Sequence, residues 1–234
     1  MESDNFSKTI LKGFIRFFTL TLFMLAVLFL AAGRLDWWEA WVYVGQGILV
    51  MLISRGLLIA KHPETALERA TAGQNENVKS WDQILMPIMA IYLPISSWIV
   101  AGLDKRFSWT PDIPNNIQFV GLAWLLIGSS ISIWAMLENR FFSSHVRIQT
   151  ERGHTVISSG PYQFVRHPGY ASGLISWVAA PVFFGSYWMI IPAILAIAIS
   201  FLRTAKEDAL LQEELPGYAE YSQKVRFRLI PGIW

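Results

Sequence analysis

The chain has 234 residues, of which 53% are hydrophobic, 14% aromatic and only 15% charged, with a mean hydropathy of +0.39. Soluble domains carry nearer a quarter charged residues, so the composition excludes an ordinary soluble domain and points to an integral membrane protein. A net charge of +2 is too small for a nucleic-acid binder, and the lack of cysteine excludes disulfides, a thiolate nucleophile and a cysteine-based metal site.

Four stretches, residues 14–32, 40–60, 84–102 and 117–137, are long and apolar enough to cross a bilayer core, which needs about 20 residues. Backbone groups in lipid must bond internally, so each is predicted to be a helix, and Gly45, Gly47, Pro87, Pro94 and Gly128 are tolerable inside them for that reason. The first stretch ends in Ala31-Ala32-Gly33, but its apolar core exceeds the roughly 7–15 residues of a signal peptide, so it reads as a structural helix. Trp37, Trp38 and Trp41 follow it and are expected at the outer membrane interface. Residues 61–83 form a polar loop with a helix-like patch over 64–72, expected to be solvated.

A fifth apolar region, 170–202, is too long for one crossing and breaks at Gly185-Ser186, which predicts a helical hairpin over 171–184 and 187–202. The fold class is therefore all-α, a polytopic membrane bundle of about six membrane helices whose last two form a hairpin. Lysine and arginine test this count. With six crossings, 16 of the 19 basic residues fall in the N-terminal segment, the second and fourth loops and the C-terminal tail. That asymmetry places both termini and the fourth loop in the cytoplasm.

The fourth loop, 138–167, is unusually long, and its Phe141, Phe142, Val146, Ile148 and Tyr162 argue for a folded rather than a disordered segment. It runs into residues 158–173, SSGPYQFVRHPGYASG, the densest polar motif of the chain. Proline suits a first helical position and pushes its predecessor out of the helix, so Arg166-His167 sits at the mouth of a helix beginning at Pro168. A helix N-terminus beside an arginine suits an anion. Arg203 and Glu207, four apart, share a helical face where the last apolar stretch ends. Two helix ends and a folded loop would then enclose a charged pocket beside lipid. The plainer readings are juxtamembrane anchors for Arg166 and Arg203, and a surface pair worth about 0.3 kcal/mol for Arg203–Glu207. His145, His154 and His167 match no zinc spacing, so no metal is expected.

Gly160-Pro161-Tyr162, Arg166-His167-Pro168-Gly169-Tyr170 with Gly173, Glu207-Asp208 with Leu211, and Gly217-Tyr218 with Glu220-Tyr221 resemble the isoprenylcysteine carboxyl methyltransferase family, whose C-terminal pattern is shared with phospholipid N-methyltransferases. His145-Val146, Gln149 and His154-Thr155 resemble its cofactor loop, and the likeness covers residues 143–234. The resemblance implies a membrane-embedded methyltransferase using S-adenosylmethionine. It carries a cofactor role over to Gln149, His154, Val156, Tyr162, Arg166, His167, Tyr170 and Glu207, with Arg166 holding the cofactor's carboxylate. Arg203 and Glu207 are the expected catalytic pair. Arg203 would orient a carboxylate acceptor, and Glu207 would serve as base for an amine or hydroxyl. The implied acceptor is lipid-like, a prenylcysteine-type carboxylate first and an amine-bearing lipid second, with membrane lipids but no nucleic acid as partners. On this reading residues 1–137 form the substrate and scaffold region and 138–234 the cofactor region. An NADPH-dependent enzyme resembling sterol reductases and a non-catalytic membrane scaffold are the alternatives of other classes. The family often has Glu-Glu where this chain has Glu207-Asp208.

Overall fold

The computed structural model describes residues 2–71 and 78–234. Its elements are α1 (Glu2–Ala32), α2 (Trp38–Lys61), α3 (Pro63–Ala70), α4 (Ser80–Pro87), α5 (Leu93–Phe107), α6 (Asn115–Glu138), α7 (Pro168–Phe184), α8 (Ile190–Glu214) and α9 (Tyr218–Lys224). No strand occurs among the described residues. A π-helical turn, Ile88–Tyr92, joins α4 to α5 without interruption, so Ser80–Phe107 is one continuous run. Among the described residues four runs are long and apolar enough to cross a membrane: Phe6–Ala32, Trp38–Lys61, Ser80–Phe107 and Asn115–Glu138. Large apolar side chains such as Leu22, Leu30, Leu49, Leu126 and Leu195 remain exposed on the bundle's flanks, as a lipid-facing surface would require.

Each expected apolar stretch lies inside one of these helices, and the departures are at their ends. The third run extends past 84–102 in both directions because Asp82 and Asp104, which hydropathy places in loops, are buried and hydrogen-bonded. The helix α8 begins at Ile190 rather than 187 and runs to Glu214 rather than 202. Its polar extension is held by the side-chain bonds of Arg203 and Asp208. The patch at 64–72 is α3 over Pro63–Ala70, with Ala72 outside the described residues. Its solvated reading is corrected: Thr65 and Ala66 are fully buried, and the Thr65 hydroxyl donates to the carbonyl of Arg140.

The most extensive helix packing is α6 against α7, followed by α1 against α5. Close packing of α6 depends on Gly121, where a Cβ would lie 2.4 Å from the Phe183 amide nitrogen. The expected break between α7 and α8 is a Schellman-type stop. Gly185 adopts φ 63°, its N–H bonds the Val182 carbonyl, and Ser186 N–H bonds the Pro181 carbonyl.

Successive long helices alternate in direction, so the bundle has two polar ends. At one end an apolar core of Leu28, Trp37, Val44, Leu125, Phe183 and Met189 closes over two buried acids. Glu39 takes Gln118 Nε2 at 3.1 Å and pairs with Lys105 at 3.4 Å. Asp104 takes the Thr110 amide at 2.8 Å, the Thr110 hydroxyl at 2.7 Å and the Ser186 hydroxyl. The tryptophan expectation is corrected for Trp37. Trp37 is buried at 1% exposure against Phe29 and Phe184, Trp38 is half-buried, and Trp41 faces outward. At the other end, the C-terminal ends of α2, α6 and α8, the N-terminal ends of α4 and α7, and the loop 139–167 converge. That loop is folded: Phe141, Val146, Gln149, Tyr162 and Val165 are buried and two 3₁₀ turns, Thr150–Arg152 and Gly160–Gln163, shape it.

Candidate active site

A cavity of about 280 Å³ opens at this second end. Gln149, His154, Val156, Tyr162, Arg166, His167, Tyr170, Arg203 and Glu207 all line it, so residues spread over nearly sixty positions of sequence meet in one place. Arg69 and Met89, from the N-terminal half, line it too.

The loop's fold positions the first three. Gln149 is buried, donating Nε2–H to the Phe141 carbonyl at 2.7 Å and accepting Arg152 Nη1 at 2.6 Å. The Gln149 amide donates to His154 Nδ1 at 3.3 Å, which leaves the proton of a neutral imidazole on Nε2. The His154 ring lies against Phe141 with centroids 4.5 Å apart. Burial first, and then the charges of Arg152 and Arg147, lower its pKa to about 4. Tyr162 donates to the Ala135 carbonyl at 3.3 Å and accepts from Asn139 at 3.2 Å, and burial pushes its phenol well up, so it remains protonated.

At the mouth of α7, Pro168 takes the first helical position and His167 caps it with non-helical dihedrals (φ −126°, ψ 64°). Both residues before Pro168 turn toward Asp208. Arg166 donates from Nε at 2.7 Å and from Nη2 at 3.0 Å to its two oxygens, and from Nη1 to the carbonyls of Val225 and Arg226, each at 2.8 Å. His167 Nε2 lies 3.2 Å from Asp208 Oδ1, and the Tyr218 hydroxyl donates to the same oxygen at 2.9 Å. Arg228 and Gln212 complete the set at 2.9 and 2.8 Å. Asp208 is fully buried. The guanidinium expected to hold a cofactor carboxylate is thus occupied by the protein's own acid and carbonyls.

Arg203 and Glu207 share a face of α8 but do not pair with each other. Tyr170 donates its hydroxyl to Glu207 Oε2 at 2.6 Å. Arg203 instead reaches α4, donating from Nε to Asp82 Oδ1 at 2.6 Å and from Nη2 to Asp82 Oδ2 at 3.1 Å. Its Nη2 also donates to the Ser144 carbonyl at 2.7 Å, and its guanidinium lies 5.4 Å over the Tyr170 ring. Sequence reasoning missed Asp82, which it left in a solvated loop. The available signal was an acid at the edge of one apolar run and an arginine at the edge of another, both on the same expected membrane face.

These features define a helical protein with four membrane-length helices and, at one end of them, an open cavity lined by apolar, aromatic and paired charged side chains. Such a lining suits a small polar ligand meeting an apolar one. Residues 120–213 match the profile of the isoprenylcysteine carboxyl methyltransferase family, so the resemblance carried by the RHPxY element and the acidic pair is borne out over that stretch. Two relatives named probable protein-S-isoprenylcysteine O-methyltransferase, from Oryza sativa subsp. japonica and subsp. indica, are each 30% identical over 118 residues, covering 47% of this chain and 59% of theirs. Protein-S-isoprenylcysteine O-methyltransferase B of Arabidopsis thaliana is 29% identical over 118 residues, covering 47% of this chain and 57% of its own. The chain therefore spans less than two thirds of the length of the curated relatives it matches.

Proposed function

We propose that the protein is a membrane methyltransferase that uses S-adenosylmethionine to esterify a prenylcysteine-type carboxylate. The observation that carries this reading is the convergence of Gln149, His154, Tyr170, Arg203 and Glu207 on one cavity, largely within the family-matched segment. The donor set fits the cofactor. Glu207, already aimed by Tyr170, suits an ammonium group, while Val156, Ile157, Leu211 and Leu215 offer an apolar wall for a base. His154 Nε2–H, neutral at physiological pH, is a donor that adds no charge beside a cationic sulfonium. Arg166 and His167 act through Asp208 to fix the mouth of α7 rather than to grip the ligand.

When bound, S-adenosylmethionine supplies an electrophilic methyl group on sulfur, which a carboxylate takes up as its ester with S-adenosylhomocysteine as by-product. A carboxylate is already a nucleophile, so the protein need supply no base. Its work is to bind, orient and exclude water. Arg203 presents the acceptor's charge-matched donor, and Tyr170 holds Glu207 through its hydroxyl. The prenyl chain would lie toward the N-terminal helices, residues 1–137, and the cofactor toward 138–234. We further infer that α7 and the apolar part of α8 form a membrane hairpin, giving six membrane helices with both termini and the cavity on the cytoplasmic face. The excess of basic residues on that face supports it.

The test is labelled-methyl transfer from S-adenosylmethionine to S-prenylated N-acetylcysteine by the purified protein in detergent. The expected product is the methyl ester. Label recovered only in amine-bearing lipids would overturn the carboxylate assignment, and no binding of S-adenosylhomocysteine would overturn the methyltransferase reading.

A further inference from the structure

We propose that Asp82 is a positioning residue that sets the direction of Arg203, so that the guanidinium Nη1 becomes a fixed donor to the acceptor's carboxylate. This rests on the methyltransferase reading above and deepens it with a residue outside the family-matched segment, on α4.

The geometry is a directed fork. A free arginine side chain spreads over many rotamers. Here Asp82, fully buried, takes Nε and Nη2, and the Ser144 carbonyl takes Nη2 again. Nη1 makes no hydrogen bond among the described residues, and Arg203 lines the cavity. The Tyr170 ring closes one face of the guanidinium plane. What remains for a ligand is Nη1, which can give a carboxylate a charge-assisted hydrogen bond from one fixed nitrogen.

The same acid also registers the loop. The Val146 amide donates to Asp82 Oδ2 at 2.8 Å, and His145 Nδ1 lies 3.6 Å from that oxygen. One carboxylate thus links α4, the loop 139–167 and α8. Its charge leaves Arg203 compensated rather than buried alone. Without it, Nε loses its partner among the described residues, and the guanidinium would spread over rotamers that no longer aim Nη1 at the acceptor.

Asp82→Asn removes the charge and the fork while keeping an oxygen for the Val146 amide. The acceptor KM is expected to rise about tenfold or more at saturating S-adenosylmethionine, the scale of a lost charged hydrogen bond. The dissociation constant for S-adenosylhomocysteine should stay within about threefold, because Asp82 makes no direct contact there. In parallel, the wild type should bind a prenylthioether carboxylate in preference to its methyl ester by thermal shift, and Asp82→Asn should lose that preference. If Asp82→Asn melts too low to assay, Asp82→Glu keeps the charge one methylene too long and should show the same split. An unchanged acceptor KM, or equal weakening of acceptor and S-adenosylhomocysteine, overturns the positioning role while the methyltransferase reading stands. A wild type that neither binds S-adenosylhomocysteine nor prefers the carboxylate overturns both.

Discussion

Arg166 and Asp208 face each other across the mouth of α7 at 2.7 and 3.0 Å, with the carboxylate fully buried and four further donors on the same two oxygens. A pair of this kind is a locking device. Removing Asp208 leaves the Arg166 charge buried without its acid, at a cost of about 3–5 kcal/mol. Asp208→Ala is therefore expected to destabilise the protein on that scale, and Arg166→Ala by less, because Arg228 still pairs with Asp208. Thermal melting in detergent checks both, and Asp208→Glu, adding one methylene to a closed site, should cost about 1–3 kcal/mol.

The tyrosine–glutamate contact predicts a different signature. Glu207 is half-buried at the cavity rather than within the fold's core. Glu207→Gln should weaken S-adenosylhomocysteine binding by about tenfold, the scale of one charged hydrogen bond, while leaving the melting temperature nearly unchanged. Tyr170→Phe should produce a smaller loss of the same kind. Calorimetric titration separates binding from stability here.

His154 gives a pH dependence with a defined sign. Its folded pKa is about 4, against an ordinary value of 6.5. Between those values the unfolded chain takes a proton that the folded chain refuses, so stability is complete above about pH 6.5 and falls as pH drops toward 4. Protonation would also break the bond from the Gln149 amide. His154→Phe should flatten the melting-temperature profile over that window relative to the wild type.

Helix packing can be tested without touching the cavity. Gly121→Ala places a methyl 2.4 Å from the Phe183 amide nitrogen and must push α6 from α7, at about 1–3 kcal/mol. Gly45→Ala, where a Cβ meets nothing within 4 Å, is the matched control and should be neutral or slightly stabilising.

The chain contains no cysteine, so single cysteines can report sidedness directly. Introduced at Glu151 or Ser158 in the long loop, they should label from the cytoplasmic side of sealed vesicles. Introduced at Asp112, between α5 and α6, one should label from the opposite side. The reverse pattern contradicts the proposed topology.

What the sequence made legible divides by range. The four membrane-length helices stand out because lipid allows few alternatives and their apolar runs are contiguous. The mouth of α7 is legible because Pro168 acts on its own neighbour. Gly185 marks the end of α7 for an equally local reason. Asp82–Arg203 is 121 residues apart, and nothing local distinguishes a buried acid from a solvated one at the edge of an apolar run. Trp37 misled for the same reason: its type favours an interface, but its rotational phase on the bundle turns it inward against Phe184. Arg166 is an intermediate case, since its place at the helix mouth was readable and its commitment to Asp208 was not.

The π-helical turn at Ile88–Tyr92 has a consequence for how this chain tolerates length changes. It holds one residue more than a regular helix would in the same span, midway between Asp82 at the cavity and Asp104 at the opposite end. Elsewhere in Ser80–Phe107, losing one residue would rotate the two halves by about 100° and pull one acid out of its partners' reach. Within the bulge the same deletion straightens the helix and preserves both phases. Single-residue deletions scanned along this run should therefore be survivable at one short window, and that window marks where the helix's two ends are set independently.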